Sequence, residues 1–286
     1  MLNKIKGGLF GVAVGDALGG TTEFMTKEEI EAKYGRVTDI IGGGVWDLKE
    51  GEVTDDTEMT IAVIKGIIAN PEYPIEEIGK HFLEWKATDP KDIGITIRTT
   101  FENYQGDWFK AAEKTHYDLN EQSAGNGSLM RCLPIALAYK EKGKMNELST
   151  LQSKMTHFDD LAAEACLIYN NIASRLLQGE RLDSAIRTEI ANTRYELDYK
   201  LEPDCPPDGY VVNTMKWVLY WLINAQAFEE VVVGAANMGH DSDTVAAIAG
   251  GLKGIEVGFD QIPRKFSDKL LCRQELMGLA EKLTWI

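Results

Sequence analysis

Apolar residues recur at helical spacing along most of this chain. Stretches 57–70, 75–87, 128–140, 159–178, 213–225, 241–257 and 264–284 all repeat near 3.6 residues. Ile75, Ile78, Phe82 and Trp85 make one face of such a helix. Alternating runs of the strand type are short, Tyr210-Val211-Val212 and Glu230 to Val233 being the best candidates. No strand–helix–strand rhythm emerges, so the pattern predicts an all-α fold in one domain, residues 1–286. Two stretches are crowded with small residues: Gly7 to Gly19, and Ala246 to Gly254. Glycine inside a helix costs about 1 kcal/mol against alanine. Close backbone packing at the centre of a bundle would account for that cost, and a partly irregular segment is the alternative for the first stretch. The longest aperiodic segment runs from Glu196 to Gly209 and contains Pro203, Pro206 and Pro207. A loop that long is either functional or a plain surface excursion. Gly42-Gly43-Gly44 marks a second loop.

Two clusters interrupt the apolar pattern in the same way. Thr54-Asp55-Asp56-Thr57 opens one apolar run, and Asp241-Ser242-Asp243-Thr244 opens another. Asp, Ser and Thr are ordinary helix caps, and either cluster alone reads as one. Doubled acids at both starts exceed what a cap uses. Brought together, they would repel unless cations lay between them. Carboxylate and hydroxyl oxygens are hard ligands, suited to Mg²⁺ or Mn²⁺ rather than Zn²⁺. The expected site is therefore an all-oxygen centre for two divalent cations, built from the two ends of the chain. Gly125-Asn126-Gly127-Ser128 precedes another helical run, where backbone N–H groups can approach a phosphate. A simple turn with Ser128 as cap is the plainer reading of that segment taken alone.

Composition narrows the classes. The 286 residues carry a formal net charge of −15, which argues against a basic nucleic-acid-binding patch or an anionic membrane surface as partner. The four cysteines, Cys132, Cys166, Cys205 and Cys272, are widely spaced and form no disulfide framework. Lys4 and Lys6 precede only a short, glycine-broken apolar stretch that ends at Asp16, a poor signal peptide. No run reaches membrane-spanning length without a charge. A cytoplasmic enzyme is the expectation.

Several motifs agree in order. Gly15-Asp16-Ala17-Leu18-Gly19 is followed by Glu23-Phe24-Met25 and by the Thr-Asp-Asp-Thr cluster. Then come Gly125-Asn126-Gly127 ahead of Leu129-Met130-Arg131, Thr156-His157, and Gly239-His240-Asp241-Ser242-Asp243-Thr244. In this the chain resembles the ADP-ribosylglycohydrolase family, from about Lys6 to Pro263, and most of all its arginine-specific branch. The resemblance implies a compact orthogonal helical bundle with a binuclear Mg²⁺ or Mn²⁺ site in a cleft. It implies hydrolysis of the bond between C1″ of ADP-ribose and a modified protein side chain, with ADP-ribose as product. Carried over by position, Thr54, Asp55, Asp56, Asp241, Asp243 and Thr244 would be the metal ligands, and Gly125 to Ser128 would hold the pyrophosphate. Glu23 would lie beside the metals on the side of the attacking water. Asp92 matches a catalytic acid, and His157 and Tyr210 match residues that line the cleft. Taken alone, Glu23 and Asp92 read as solvated acids, and His157 as a residue at a helix start.

Two departures from the family pattern lie close to these positions. His240 stands where a glycine is common, and could crowd the metals, add a ligand or point outward. Ile95-Thr96 follows Asp92-Ile93-Gly94 in place of a different pair. His240-Asp241 also allows a rival, an HD-type phosphohydrolase completed by His157 and Asp260. A binder of ADP-ribose that does not turn it over is the other alternative.

Overall fold

A computed structural model describes residues 1–286. Fifteen α-helices make up the architecture, and no strand longer than an isolated bridge occurs. They are α1 (Leu2–Gly19), α2 (Lys27–Tyr34), α3 (Asp55–Ala69), α4 (Pro74–Lys86), α5 (Ile95–Asn103), α6 (Trp108–Asp118), α7 (Leu133–Ala138) and α8 (Lys142–Lys154). The series continues with α9 (Asp160–Leu177), α10 (Leu182–Ile190), α11 (Val211–Asn224), α12 (Phe228–Ala236), α13 (Ser242–Val257), α14 (Arg264–Ser267) and α15 (Arg273–Leu283). The two strand candidates are helical: Val211-Val212 open α11, and Glu230 to Val233 lie inside α12. Their β-branched residues are buried against neighbouring helices, and that packing overrides local propensity.

The glycine-rich stretch is fully helical as α1, and it packs along α13, the most extensive helix pair in the fold. The pair runs antiparallel. A Cβ on Gly7 would lie 2.1 Å from the Gly254 carbonyl oxygen. One on Gly11 would lie 2.0 Å from that of Gly250, and one on Gly15 2.1 Å from that of Ala246. Backbones this close exclude any side chain between them, which is why small residues recur every fourth position on both helices. A contiguous core of 74 buried residues surrounds the pair.

Other differences from the periodic pattern have local causes. The run at 128–140 is helical only over α7, because Pro134 sets the helix start and Asn126 O accepts from both Leu129 N and Met130 N in a tight turn before it. The run at 264–284 breaks into α14 and α15. Helices α2, α6 and α8 are polar in sequence, α2 and α6 being largely exposed and α8 burying mostly polar residues such as Ser149, Gln152 and Ser153, so periodicity missed them, but each has a cap. Thr26 and Glu29 form a capping box, Asp107 accepts from Phe109 N and Lys110 N, and Glu141 accepts from Gly143 N and Lys144 N. All four cysteines are free. No helix is long and apolar enough to cross a membrane.

Candidate active site

The antiparallel pairing of α1 and α13 decides where the acids meet. Gly19, at the end of α1, touches Asp243 at the start of α13; a Cβ on Gly19 would lie 2.2 Å from the Asp243 Cα. One turn back on α1, Asp16 is fully buried and reaches the start of α3. Its carboxylate accepts from Thr54 N at 2.9 Å, Thr54 Oγ1 at 2.9 Å, Thr57 N at 3.0 Å and Thr57 Oγ1 at 2.5 Å. Thus α3 is capped by a residue of another helix. Thr54 and Asp241 are the N-caps of α3 and α13, yet neither side chain makes a capping bond. The capping explanation of the two clusters therefore fails.

With both helix starts at one place, the acids crowd. Thr244 Oγ1 donates to Asp56 Oδ2 across the two helices at 3.3 Å. Carboxylate oxygens of Glu23, Asp92 and Asp243 lie within 4.8 Å of one another. Burial raises the pKa of Asp55, Asp56 and Asp243 well above the usual carboxylate range, and the neighbouring acids raise it further. Burial and Asp92 push Glu23 up to about 8, and burial and Asp241 push Asp92 to about 6. Asp56 Oδ1 and Asp243 Oδ1 are buried with no hydrogen-bond partner. Such oxygens are expensive to bury unless something cationic meets them. An all-oxygen donor set with orphaned carboxylate oxygens fits hard divalent cations.

A cleft of about 940 Å³ opens over this cluster. Glu23, Asp55, Asp92, Asp241 and Thr244 are among its lining residues, as are Gly125, Asn126, Gly127, His157 and Tyr210. Thr54, Asp56, Asp243 and Ser128 lie behind the lining. Ser128 is buried with its hydroxyl 2.8 Å from Ser153 Oγ, so that side chain faces the core. The Asn126 amide is likewise occupied: Nδ2 donates to Asp241 Oδ2 at 2.7 Å and to Thr214 Oγ1 at 2.9 Å. Its N–H donates to Gly209 O, while those of Gly125, Gly127 and Ser128 have no partner in the chain. The long loop is part of this construction, since Pro207 O also accepts from Asp241 N at 2.9 Å. His157 is buried beside the glycine loop, not at a solvated helix start. Ile95 and Thr96 both line the cleft, at the N-terminus of α5, whose first N–H groups have no helical acceptor.

His240 does not reach the acids. Its side chain is exposed, and its backbone at φ 56° joins the Glu23 turn through Phe24 N to His240 O at 2.7 Å and His240 N to Met25 O at 2.8 Å. Positive φ explains why glycine suits that position; histidine tolerates it. The HD arrangement fails as well. Asp260 is exposed beside Asn3, at the far end of α1 from the acids, and His157 is buried while His240 faces solvent.

Sequence reasoning assigned no role to Asp16 or Trp46. Asp16 had a signal: it is the lone charge between Lys6 and Glu23 in an apolar, glycine-rich run. Trp46 had none beyond its place after Gly42-Gly43-Gly44. That turn, with φ between 69° and 83°, lets the Gly44 backbone approach Gly20 and brings Trp46 Nε1 to donate to Glu23 Oε2 at 2.5 Å.

A profile of the family "ADP-ribosylglycohydrolase" matches residues 1–285. The ADP-ribosyl-[dinitrogen reductase] glycohydrolase of Rhodospirillum rubrum is 34% identical over 270 residues, covering 94% of this chain and 90% of its own length. The ADP-ribosylarginine hydrolase Tri1 of Serratia proteamaculans (strain 568) is 28% identical, over 100% of this chain and 80% of its own. A solved structure titled "ADP-ribosylglycohydrolase-related protein complex" superposes with a TM-score of 0.86 at 28% identity, covering 99% of this chain and 97% of that one.

Proposed function

The chain belongs to the ADP-ribosylglycohydrolase family, and from that premise we propose that it is a metal-dependent enzyme that releases ADP-ribose from modified arginine side chains of proteins. Hydrolysis of a glycosidic bond is the activity of the family; the arginine linkage and the cations are our reading. One observation carries the linkage. Six residues lining the cleft are acidic; Asp55 and Asp241 would be taken by cations, which leaves Glu23, Asp92, Glu121 and Asp159, and none of the lining residues is lysine or arginine. A cleft of one sign concentrates ligands of the other. The guanidinium of an ADP-ribosylated arginine is the cationic end of such a substrate, whereas a serine linkage brings no positive charge. The relatives support the same reading through the arginine hydrolase among them.

The residues that would hold two divalent cations, Mg²⁺ or Mn²⁺, are Thr54, Asp55, Asp56, Asp241, Asp243 and Thr244. When bound, these cations supply Lewis acidity toward the distal ribose hydroxyls and a water acidic enough to attack at neutral pH. The remaining chemistry belongs to the chain. Attack at C1″ breaks its bond to the guanidine nitrogen, and a proton must reach that nitrogen as it leaves. Asp92 borders the cleft and is pushed up to about 6, which suits a proton donor near neutrality. Glu23, held by the Trp46 indole, keeps its proton at neutral pH in the cation-free site, where its pKa is about 8. Beside bound cations that pKa would fall, and Glu23 would then take the proton that the attacking water loses. The unpartnered N–H groups of Gly125, Gly127 and Ser128 suit the pyrophosphate.

The test is release of free ADP-ribose from an arginine-ADP-ribosylated protein, with Mn²⁺ or Mg²⁺ and with EDTA, beside a serine-ADP-ribosylated peptide. We expect release from the arginine conjugate that EDTA abolishes. Release from the serine conjugate alone would defeat the arginine assignment, and release unaffected by EDTA would defeat the cations.

A further inference from the structure

The cleft offers an anionic pyrophosphate no lysine or arginine, yet a fully buried arginine stands one residue pair behind it. Arg131 is 0% exposed and has no carboxylate partner. A guanidinium cannot shed its proton to escape burial, so its charge must be satisfied in place. Its Cζ lies 4.4 Å over the Phe82 ring, Nε donates to Gln152 Oε1 at 3.3 Å, and Nη2 donates to Gln152 O at 3.2 Å and Thr156 Oγ1 at 2.7 Å. The Thr156 oxygen is thus already an acceptor. Its own hydroxyl proton has one acceptor within reach, His157 Nδ1 at 2.8 Å.

That fixes the imidazole. If Nδ1 carried the proton, the Thr156 hydroxyl would be a buried donor without an acceptor, which is costly. The proton therefore sits on Nε2. The ring is neutral, because burial and Arg131 pull its pKa down to about 3, so this is its one N–H. Nε2 faces the glycine loop: a Cβ on Gly125 would lie 3.1 Å from it, and one on Gly127 3.4 Å. Glycine at both positions leaves room for the ring and a ligand together.

We propose that Arg131, acting through Thr156, is a positioning residue that locks His157 as the Nε2–H tautomer and so aims an N–H donor at the pyrophosphate beside the Gly125–Gly127 loop. This rests on the reading that the cleft takes ADP-ribose. Each hydrogen bond polarises the next, so part of the buried charge reaches the anion without a cation entering an acidic cleft. His157 touches no reacting bond in this scheme, so the relay acts on affinity and not on the chemical step.

The experiment uses the full chain with isotopically labelled histidine. Long-range ¹H–¹⁵N correlation reports the tautomer of His157, and titration with ADP-ribose and steady-state kinetics follow in the same samples. Wild type should show Nε2–H. Thr156→Val should lose that signature, weaken ADP-ribose binding and raise KM about tenfold, with kcat nearly unchanged. Thr156→Ser should keep all three at wild-type values, and it serves with wild type if the valine variant does not fold. Nδ1–H in wild type would overturn the proposal. So would a valine variant that keeps the wild-type tautomer, or one that binds ADP-ribose as tightly as wild type. Wild type that shows Nε2–H but binds no ADP-ribose would sink the functional reading instead, and with it the role of the relay in holding an anion.

Discussion

A carboxylate buried among apolar side chains must find donors, and Asp16 finds four on two threonines of a different helix. Burial pushes its pKa up while these bonds pull it down. The side chain is a brace: it sets the position of the α3 start, and with it Thr54, Asp55 and Asp56. Asp16→Asn replaces an accepting oxygen by a donor that faces N–H and O–H groups. We expect a loss of about 3 kcal/mol in urea unfolding. Mn²⁺ affinity by calorimetry should fall about 10–100-fold, as for other residues that orient metal ligands. Unchanged Mn²⁺ affinity would show that the α3 start holds its geometry without Asp16. His240 makes the complementary point. It is the residue by which the sequence departs most visibly from its family, and its side chain points to solvent, so its backbone alone enters the site.

Helices bring the residues together. Along α1 and α13, small residues at every fourth position let two backbones touch, and the antiparallel sense of that contact places the α13 start at the α1 end. Gly11→Ala therefore sets two effects against each other. Helix propensity favours alanine by about 1 kcal/mol, but its Cβ would lie 2.0 Å from the Gly250 oxygen. Overpacking of that kind costs about 3 kcal/mol, so the variant should lose about 2 kcal/mol in urea unfolding. Gly278→Ala, in α15 with nothing within 4 Å of the added carbon, should gain up to about 1 kcal/mol. If Gly11→Ala also gained, the close approach of the two backbones would be disproved. Each helix start carries partial positive charge, and α3 and α13 both turn theirs toward the acids. That field helps to hold anions there but is too small to neutralise so many.

At the scale of the whole molecule, the buried acids couple stability to pH and, on the proposed reading, to cations. Glu23 and Asp92 have folded pKa values of about 8 and about 6, and those of Asp55, Asp56 and Asp243 are raised as well. Unfolded carboxyls titrate near 4. Between these limits the folded chain binds more protons than the unfolded one, so stability falls as pH rises. In EDTA, the melting temperature should therefore drop by several degrees from about pH 5 to about pH 8. Saturating Mn²⁺ binds the deprotonated acids and stabilises more at the higher pH, so the gap between the two curves should widen as pH increases. Curves that stay parallel across this range would mean that the acids are not the cation site.

Much of this was already legible in the order of the residues. Helical periodicity is a local property, and it marked most of the long helices, including α3, α4, α9, α11 and α13. The paired acid clusters and the ordered motifs pointed to the family and to candidate site residues that line one cleft or lie just behind it. Caps are local too, and Thr26, Asp107 and Glu141 would have located three of the polar helices had they been weighed beside the apolar spacing. Other features depend on contacts between residues far apart in the chain, which no local pattern encodes. Val231 to Val233 look like a strand until neighbouring helices bury them. Asp16 looks like an isolated charge until α3 starts against it, and His157 looks like a helix-start residue until the glycine loop closes beside its ring. The sequence by itself determined which residues are candidates for the chemistry: spacing set hard oxygen ligands at two helix starts, and the ordered family motifs added Glu23, Asp92, His157 and Tyr210. Only the tertiary structure decided which of them meet, because the close approach of α1 and α13, made by glycines far apart in the chain, brings two helix starts to one point.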